Sequence, residues 1–254
     1  MKKQALAIFI GMMLLIPSLT GSALARTQRD RDYYETRGEI VWEVPTNTKV
    51  MALTFDDGPD PQYTAQIAEL LKQYNAKATF FVVGSRVKSF PEVARQLAKE
   101  QHELANHTYS HPDVRRISNA RLQTEMEKTQ EIIYESTGIR PQLFRPPGGY
   151  YSDSVVNVAK REGFLVVMWS WHQDTRDWSD PGVRRIVNKV LNNARNGDIV
   201  LFHDYGGNRS QTVKALREIL PELQKRGYQF VTVSEMMRLY GKTKKVGQGD
   251  QGSD

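Results

Sequence analysis

At 254 residues the chain is long enough for one sizeable domain with its own core, and it contains no cysteine. That excludes disulfides, thiolate metal sites and a cysteine nucleophile, so any metal must be held by imidazole and carboxylate, donors that suit zinc and other divalent first-row ions. The formal charge of +6 comes from 35 basic and 29 acidic side chains scattered along the chain, with no basic stripe interleaved with aromatics, which leaves no case for nucleic acid as a partner.

The N-terminus reads as an export signal. Lys2 and Lys3 lead an apolar stretch from Ala5 to Ile16, Pro17 and Gly21 break it, and Ala23-Leu24-Ala25 offers a small-x-small cleavage site. The stretch is short for a membrane span, so cleavage after Ala25 is expected, and no other segment is long and apolar enough to cross a bilayer. Cleavage would remove two lysines and no acid, lowering the net charge from +6 to +4. A modest positive charge suits an anionic wall surface. An exported chain without disulfides also fits a bacterial wall or medium better than a eukaryotic secretory route. Residues 26–47 are polar and charged and read as a spacer. The domain is expected over 48–240, followed by a disordered tail over 241–254.

Within the domain, apolar runs alternate with amphipathic stretches. Val50 to Phe55 reads as a buried strand, Tyr63 to Tyr74 as a helix, Ala78 to Val83 as a strand, and Pro91 to Glu100 as a helix opening on proline. Glu103 to Asn106 is a short strand, and Arg121 to Thr137 a long helix stopped by Gly138. A strand end at Leu143-Phe144, a helix over Val155 to Glu162 and a strand over Phe164 to Trp169 follow. Val183 to Ala194 and Thr212 to Lys225 read as helices on either side of a strand at Ile199 to Phe202. Gln229 to Val233 and a helix from Ser234 close the domain. Strands alternating with helices imply a parallel sheet and an α/β class, and about seven such units in about 200 residues suit a single-domain, distorted (β/α) barrel.

The chemistry is concentrated in a few short motifs. Asp56 and Asp57 end an apolar run just before Gly58-Pro59. Alone, such a pair is most often a solvated turn. His107 and His111 are four residues apart, a spacing that would set both on one side of a helical turn, and alone that is a weak signal too. Together they supply a carboxylate and two imidazoles for a metal and a second carboxylate to take a proton from water. The chain has five histidines, and His107, His111 and His203 all sit among Asp, Gly and Pro. Asp56-Asp57, Asn106-His107, Arg145, Asp174 and His203 each fall at or just after a predicted strand's C-terminal end, where a barrel places its active site.

These motifs resemble those of the polysaccharide deacetylases of carbohydrate esterase family 4, the chitooligosaccharide deacetylase (NodB) homology domain. Five can be read in family order between about residues 48 and 237: Thr54-Phe55-Asp56-Asp57-Gly58, His107-Thr108-Tyr109-Ser110-His111-Pro112, Arg145-Pro146-Pro147-Gly148-Gly149, Asp174-Thr175-Arg176-Asp177-Trp178 and Leu201-Phe202-His203-Asp204. The resemblance implies a distorted (β/α) barrel and metal-dependent removal of N-acetyl groups from amino-sugar polymers. By the same resemblance Asp57, His107 and His111 hold a divalent metal, zinc or a similar ion such as cobalt. Asp56 is the general base with Arg145 as its partner, and His203 is the general acid supported by Asp174. Leu201 and Trp178 line the acetyl pocket. Family members often carry an aromatic residue after Arg-Pro-Pro. Here that position is Gly148, whose backbone N–H can still serve an oxyanion, and Tyr150 and Tyr151 lie close by. Trp171 could stack on a sugar or simply pack, and His172 reads as a neighbour of the site.

The expected substrate is an N-acetylglucosamine polymer, peptidoglycan first and chitin oligomers second. A glycan-binding wall protein without catalysis is the alternative that loss of Asp56, a metal ligand or His203 would favour, and none is lost. A metal-dependent peptidase would be favoured by His-Glu-x-x-His, which is absent. No obligate protein partner is implied.

Overall fold

The computed structural model describes residues 29–239; the expected export signal and tail lie outside that range. Eight strands alternate with helices: β1 (Ile40–Val41), β2 (Val50–Asp56), β3 (Ala78–Val82), β4 (Glu103–Asn106), β5 (Leu143–Phe144), β6 (Leu165–Val167), β7 (Ile199–His203) and β8 (Gln229–Phe230). Seven run in the order β1-β6-β5-β4-β3-β2-β7, and β8 pairs with β2. Every ladder between them is parallel. The sheet curls into the distorted barrel that the strand–helix alternation predicts.

The barrel is completed between its edge strands by irregular backbone. Val44 N–H donates to Gly197 O and Ser170 N–H to Ile199 O, and isolated bridges join Glu43 to Asp198 and Asp174 to Leu201. The segments that follow β1 and β6 therefore lean on β7 where no continuous ladder forms.

Six helices fall where hydrophobic periodicity places them: α2 (Tyr63–Gln73), α4 (Pro91–Lys99), α5 (Asn119–Thr137), α6 (Asp153–Arg161), α7 (Val183–Leu191) and α8 (Ser210–Lys225). The Ser118 side chain caps α5 by accepting from Arg121 N–H, and Gly138 ends it in the left-handed conformation. Residues 233–239 are helical as well. Two further helices, α1 (Arg31–Thr36) and α3 (Gly84–Ser89), are absent from the sequence reading because each is only six residues long, too short to show a period.

Alternation along the buried strands sorts side chains into two layers. On β2, Met51, Leu53 and Phe55 pack outward into the large cluster beneath α2, α7 and α8. Val50 and Ala52 turn inward to meet Phe81, Ala105, Val167 and Ile199. Period two then carries Thr54 and Asp56 onto the same inner face. A strand buried on both faces thus ends with a carboxylate aimed into the barrel mouth.

The stretch expected as a spacer over 26–47 is, from residue 31 onward, part of the fold. Helix α1 and strand β1 are built from it, and β1 extends the sheet beside β6. Tyr34, Ile40 and Trp42 are buried with Val155, Phe164 and Met168. The charges that suggested a linker point outward and pair locally, with Arg31 at 2.7 Å from Glu35 and 3.0 Å from Glu43. A few large apolar residues among many charges still bury a face, which average polarity conceals.

Candidate active site

The strand ends place the site. On the neighbouring parallel strands β2 and β7, Asp56 and His203 are register partners, so the expected base and acid stand side by side at the mouth of the barrel. They line a cleft of about 360 Å³ together with Asp57, His107, His111, Gly148, Gly149, Tyr150, Trp169, Asp174, Trp178 and Leu201. Every residue expected in the site lines it except Arg145, which is buried behind Asp56.

Arg145 is fully enclosed and anchored on all sides. Its Nη1 donates to Asp56 Oδ1 at 2.7 Å and to Thr54 Oγ1 at 2.9 Å. Its Nε and Nη2 donate to the carbonyls of Val167 and Met168, and the guanidinium lies 3.9 Å over the Phe81 ring. Burial pulls its pKa down, against the raising effect of Asp56. Because Arg145 engages Oδ1, the other carboxylate oxygen of Asp56 is left on the side of His107, 3.9 Å from Nε2.

Asp57, His107 and His111 converge. Asp57 Oδ1 lies 3.5 Å from His107 Nε2 and 3.2 Å from His111 Nε2, and all three ligand atoms fall within 4.8 Å of one another. His107 Nδ1–H donates to Arg145 O at 2.7 Å. That bond fixes the tautomer with a lone pair on Nε2, facing Asp57, which is what a ligand histidine requires. Burial tends to raise the Asp57 carboxyl, but contact with the two imidazoles outweighs it and holds the group well below the ordinary carboxylate range. Asp57 raises His111 in turn, against burial. The donor set fits a divalent first-row cation with open positions.

The two histidines do not share a helical turn as their spacing suggests. The segment after β4 is irregular, with Thr108 at φ 67° and His111 at φ 53°. It folds back on itself to bring the rings to a centroid distance of 5.0 Å.

The acid's partner also differs from expectation. His203 Nδ1–H donates to Asp177 Oδ1 at 2.7 Å, and His203 N–H donates to Asp177 Oδ2 at 2.9 Å. Asp177 is 1% exposed and also accepts from Thr212 Oγ1 at 2.7 Å. Asp174, the expected partner, instead accepts from Arg176 N–H on the cleft wall. Arg176 adopts the left-handed conformation, and the turn carries the second aspartate of the motif, not the first, beneath the imidazole. Both aspartates stood in one motif, and only the turn distinguishes them. Burial lowers the His203 pKa, but the hydrogen bond and charge of Asp177 outweigh it and raise the group to about 9.

Gly148 lies in a 3-10 turn at φ 65°, and a Cβ there would meet the Tyr150 ring at 2.8 Å. The space an aromatic at 148 would claim is thus taken by Tyr150, itself 44% exposed and stacked at 3.8 Å by the Arg115 guanidinium. Tyr151 belongs to the interior, edge-on to Tyr34 and Trp42. His172 is not among the residues that line the cleft: its Nε2 meets Asp198 Oδ1 at 2.9 Å, just before β7 and at the other end of that strand from His203, while Gln173 Nε2 and Arg195 N–H donate to the other Asp198 oxygen.

Asp204 closes the fifth motif, but the sequence reading gives it no role there. Gly58 N–H donates to its Oδ1 at 3.0 Å and Thr64 Oγ1 to its Oδ2 at 2.5 Å. A Cβ on Gly58 would fall 2.2 Å from that carboxylate. Glycine is therefore required where Asp57, at φ 81°, turns its carboxylate toward the histidines.

A parallel barrel with carboxylates and imidazoles gathered at the C-terminal ends of its strands has the layout of an enzyme active site. Comparison with known proteins narrows the class. The polysaccharide deacetylase family profile matches residues 43–167. A peptidoglycan-N-acetylglucosamine deacetylase of Bacillus cereus is 52% identical over 208 residues, covering 82% of this chain and 97% of the relative. A chitooligosaccharide deacetylase of Azorhizobium caulinodans is 34% identical, covering 73% and 93%. Among solved structures, a peptidoglycan N-acetylglucosamine deacetylase in complex with 4-naphthalen-1-yl-N-oxidanyl-benzamide superposes with a TM-score of 0.79 at 35% identity, covering 83% of this chain and 98% of its own. The chain belongs to the polysaccharide deacetylase family.

Proposed function

We propose that the protein removes N-acetyl groups from N-acetylglucosamine units of peptidoglycan, using a divalent metal, zinc or a similar ion, held by Asp57, His107 and His111. The observation that carries this reading is the placement of Asp56 and His203 side by side as register partners of neighbouring strands, next to that Asp-His-His group. The 52% identity to a peptidoglycan-N-acetylglucosamine deacetylase supports the choice of polymer. The similarity to a chitooligosaccharide deacetylase makes chitin oligomers the second substrate. The same reading places the enzyme outside the cell at the wall, after loss of residues 1–25.

When bound, the cation supplies Lewis acidity toward the acetamide carbonyl and toward the attacking water. The protein supplies the proton transfers. Asp56, held through Oδ1 by Arg145, accepts the water proton on Oδ2 as the oxygen adds to the carbonyl carbon. His203, whose Nδ1 is committed to Asp177, delivers a proton from Nε2 to the sugar nitrogen as the C–N bond breaks. Acetate and a free glucosamine amine result. The backbone of Gly148 borders the carbonyl oxygen, Leu201 and Trp178 border the acetyl methyl, and Tyr150 offers a ring face to the neighbouring sugar.

The test is acetate release from peptidoglycan fragments and chitin oligomers, read with mass spectrometry of both glycans. Activity is expected to vanish on exhaustive chelation and to return with zinc or cobalt. Full activity with no metal detected would refute the metal assignment. Loss of acetyl groups from chitin oligomers alone would refute the wall assignment. Binding of either glycan without acetate release would favour the non-catalytic alternative.

A further inference from the structure

The loop that carries His111 leaves β4 at Asn106 and returns to regular structure only where α5 begins at Asn119. Two of its non-glycine residues, Thr108 and His111, adopt left-handed backbone, a conformation that L side chains disfavour and that persists only where surrounding contacts impose it. From one side Gly84 and Ser85 N–H donate to the carbonyls of Thr108 and Tyr109; from the other the loop is held by Glu125, in the second turn of α5, outside all five motifs. Its side chain is 2% exposed. Oε2 accepts from Tyr109 N–H at 2.9 Å and Ser110 N–H at 2.7 Å, and Oε1 accepts from Ser110 Oγ at 2.9 Å. Arg121 closes the cluster from the solvent side at 2.7 Å. Hydrogen bonds to a buried carboxylate are stronger than neutral ones, and these grip the two residues immediately before His111. Asn106 ties the loop's other end to the same helix, its Oδ1 accepting from Thr108 N–H and its Nδ2 donating to Met126 O.

We infer that Glu125 is a positioning residue of the metal centre: it locks the 108–111 loop in the conformation that brings His111 to Asp57 and His107. The inference rests on the reading that these three residues bind a metal. His111 depends on the brace more than His107 does, because His107 directly follows β4 and is pinned by Arg145 O, whereas the His111 side chain is 42% exposed with the loop as its support.

The experiment measures zinc affinity by competition with a chromophoric chelator, and the visible spectrum of the cobalt form, alongside thermal unfolding of the metal-free protein. Glu125→Ala should weaken zinc binding by roughly 10- to 100-fold, the usual effect of removing a group that orients a ligand. The loss should disappear in a His111→Ala background, since the two changes remove the same ligand. Glu125→Gln retains an acceptor for the two backbone N–H groups and should recover most of the affinity. If Glu125→Ala does not fold, Glu125→Asp, whose carboxylate falls one methylene short of the loop, gives the same comparison in the two backgrounds at smaller amplitude. Wild-type affinity in the folded Glu125→Ala or Glu125→Asp protein, or equal losses with and without His111, would overturn the inference and leave Glu125 a fold-stabilising residue. Failure of the wild-type protein to bind zinc or cobalt would overturn the metal reading itself, and the inference with it.

Discussion

His203 pairs with the buried Asp177, and in the proposed mechanism the charge state of this pair sets the alkaline side of the chemistry. The pair raises His203 from an ordinary 6.5 to about 9, so the imidazolium persists across neutral pH, as the proposed role of proton donor to the leaving group requires. The stabilisation it lends the fold is complete below about 6.5 and is lost as pH rises through about 9. Turnover should therefore fall above about pH 9. Asp177→Asn removes the anion and should move that limb down by one or more pH units, whereas Asp174→Asn should leave it in place. Turnover against pH, with the His203 ring followed by NMR, checks both. Movement of the limb by Asp174→Asn and not by Asp177→Asn would reverse the assignment of the partner.

At the scale of elements, the long strands and helices were legible because each repeats its pattern several times. β2 is seven residues buried throughout, and α5 runs nineteen residues between a serine cap and a glycine stop. α1 and β1 were not legible. β1 has two residues, and its neighbour Trp42 stands among charges that dominate any local average. Yet Trp42 is fully buried. Trp42→Ala should cost about 3–5 kcal/mol, the usual effect of deleting a large core side chain. Urea unfolding of the metal-free protein measures it, and a loss below about 1 kcal/mol would return this segment to the status of a linker. A truncation beginning at residue 45 should fail to fold for the same reason.

For the whole molecule, the relevant quantity is the net charge, +6 for the full sequence and +4 if residues 1–25 are removed as proposed. Attraction between a basic enzyme and an anionic wall polymer is screened over about 8 Å at physiological salt. Raising the salt concentration should lower kcat/KM on wall fragments severalfold and change it little on uncharged chitin oligomers. An equal response of the two substrates would remove charge as a reason for preferring the wall.

The sequence by itself determined the alternation of elements and the five motifs at strand ends, since both follow from local pattern: periodicity, turn residues and short runs of chemistry-bearing side chains. It therefore gathered Asp56, Asp57, His107, His111 and His203 at one cleft, with Arg145 behind them. Tertiary structure alone decided which aspartate supports His203, because Asp174 and Asp177 differ only in where the left-handed turn at Arg176 sends them. It decided too that His111 reaches Asp57 through a strained loop and not a helical turn, with Glu125 and Asp204 gripping the backbone around the site. Such braces link residues far apart in sequence by single hydrogen bonds, which leave no periodic trace in the chain. They exist only once the barrel has brought α5 and β7 against the loops they hold.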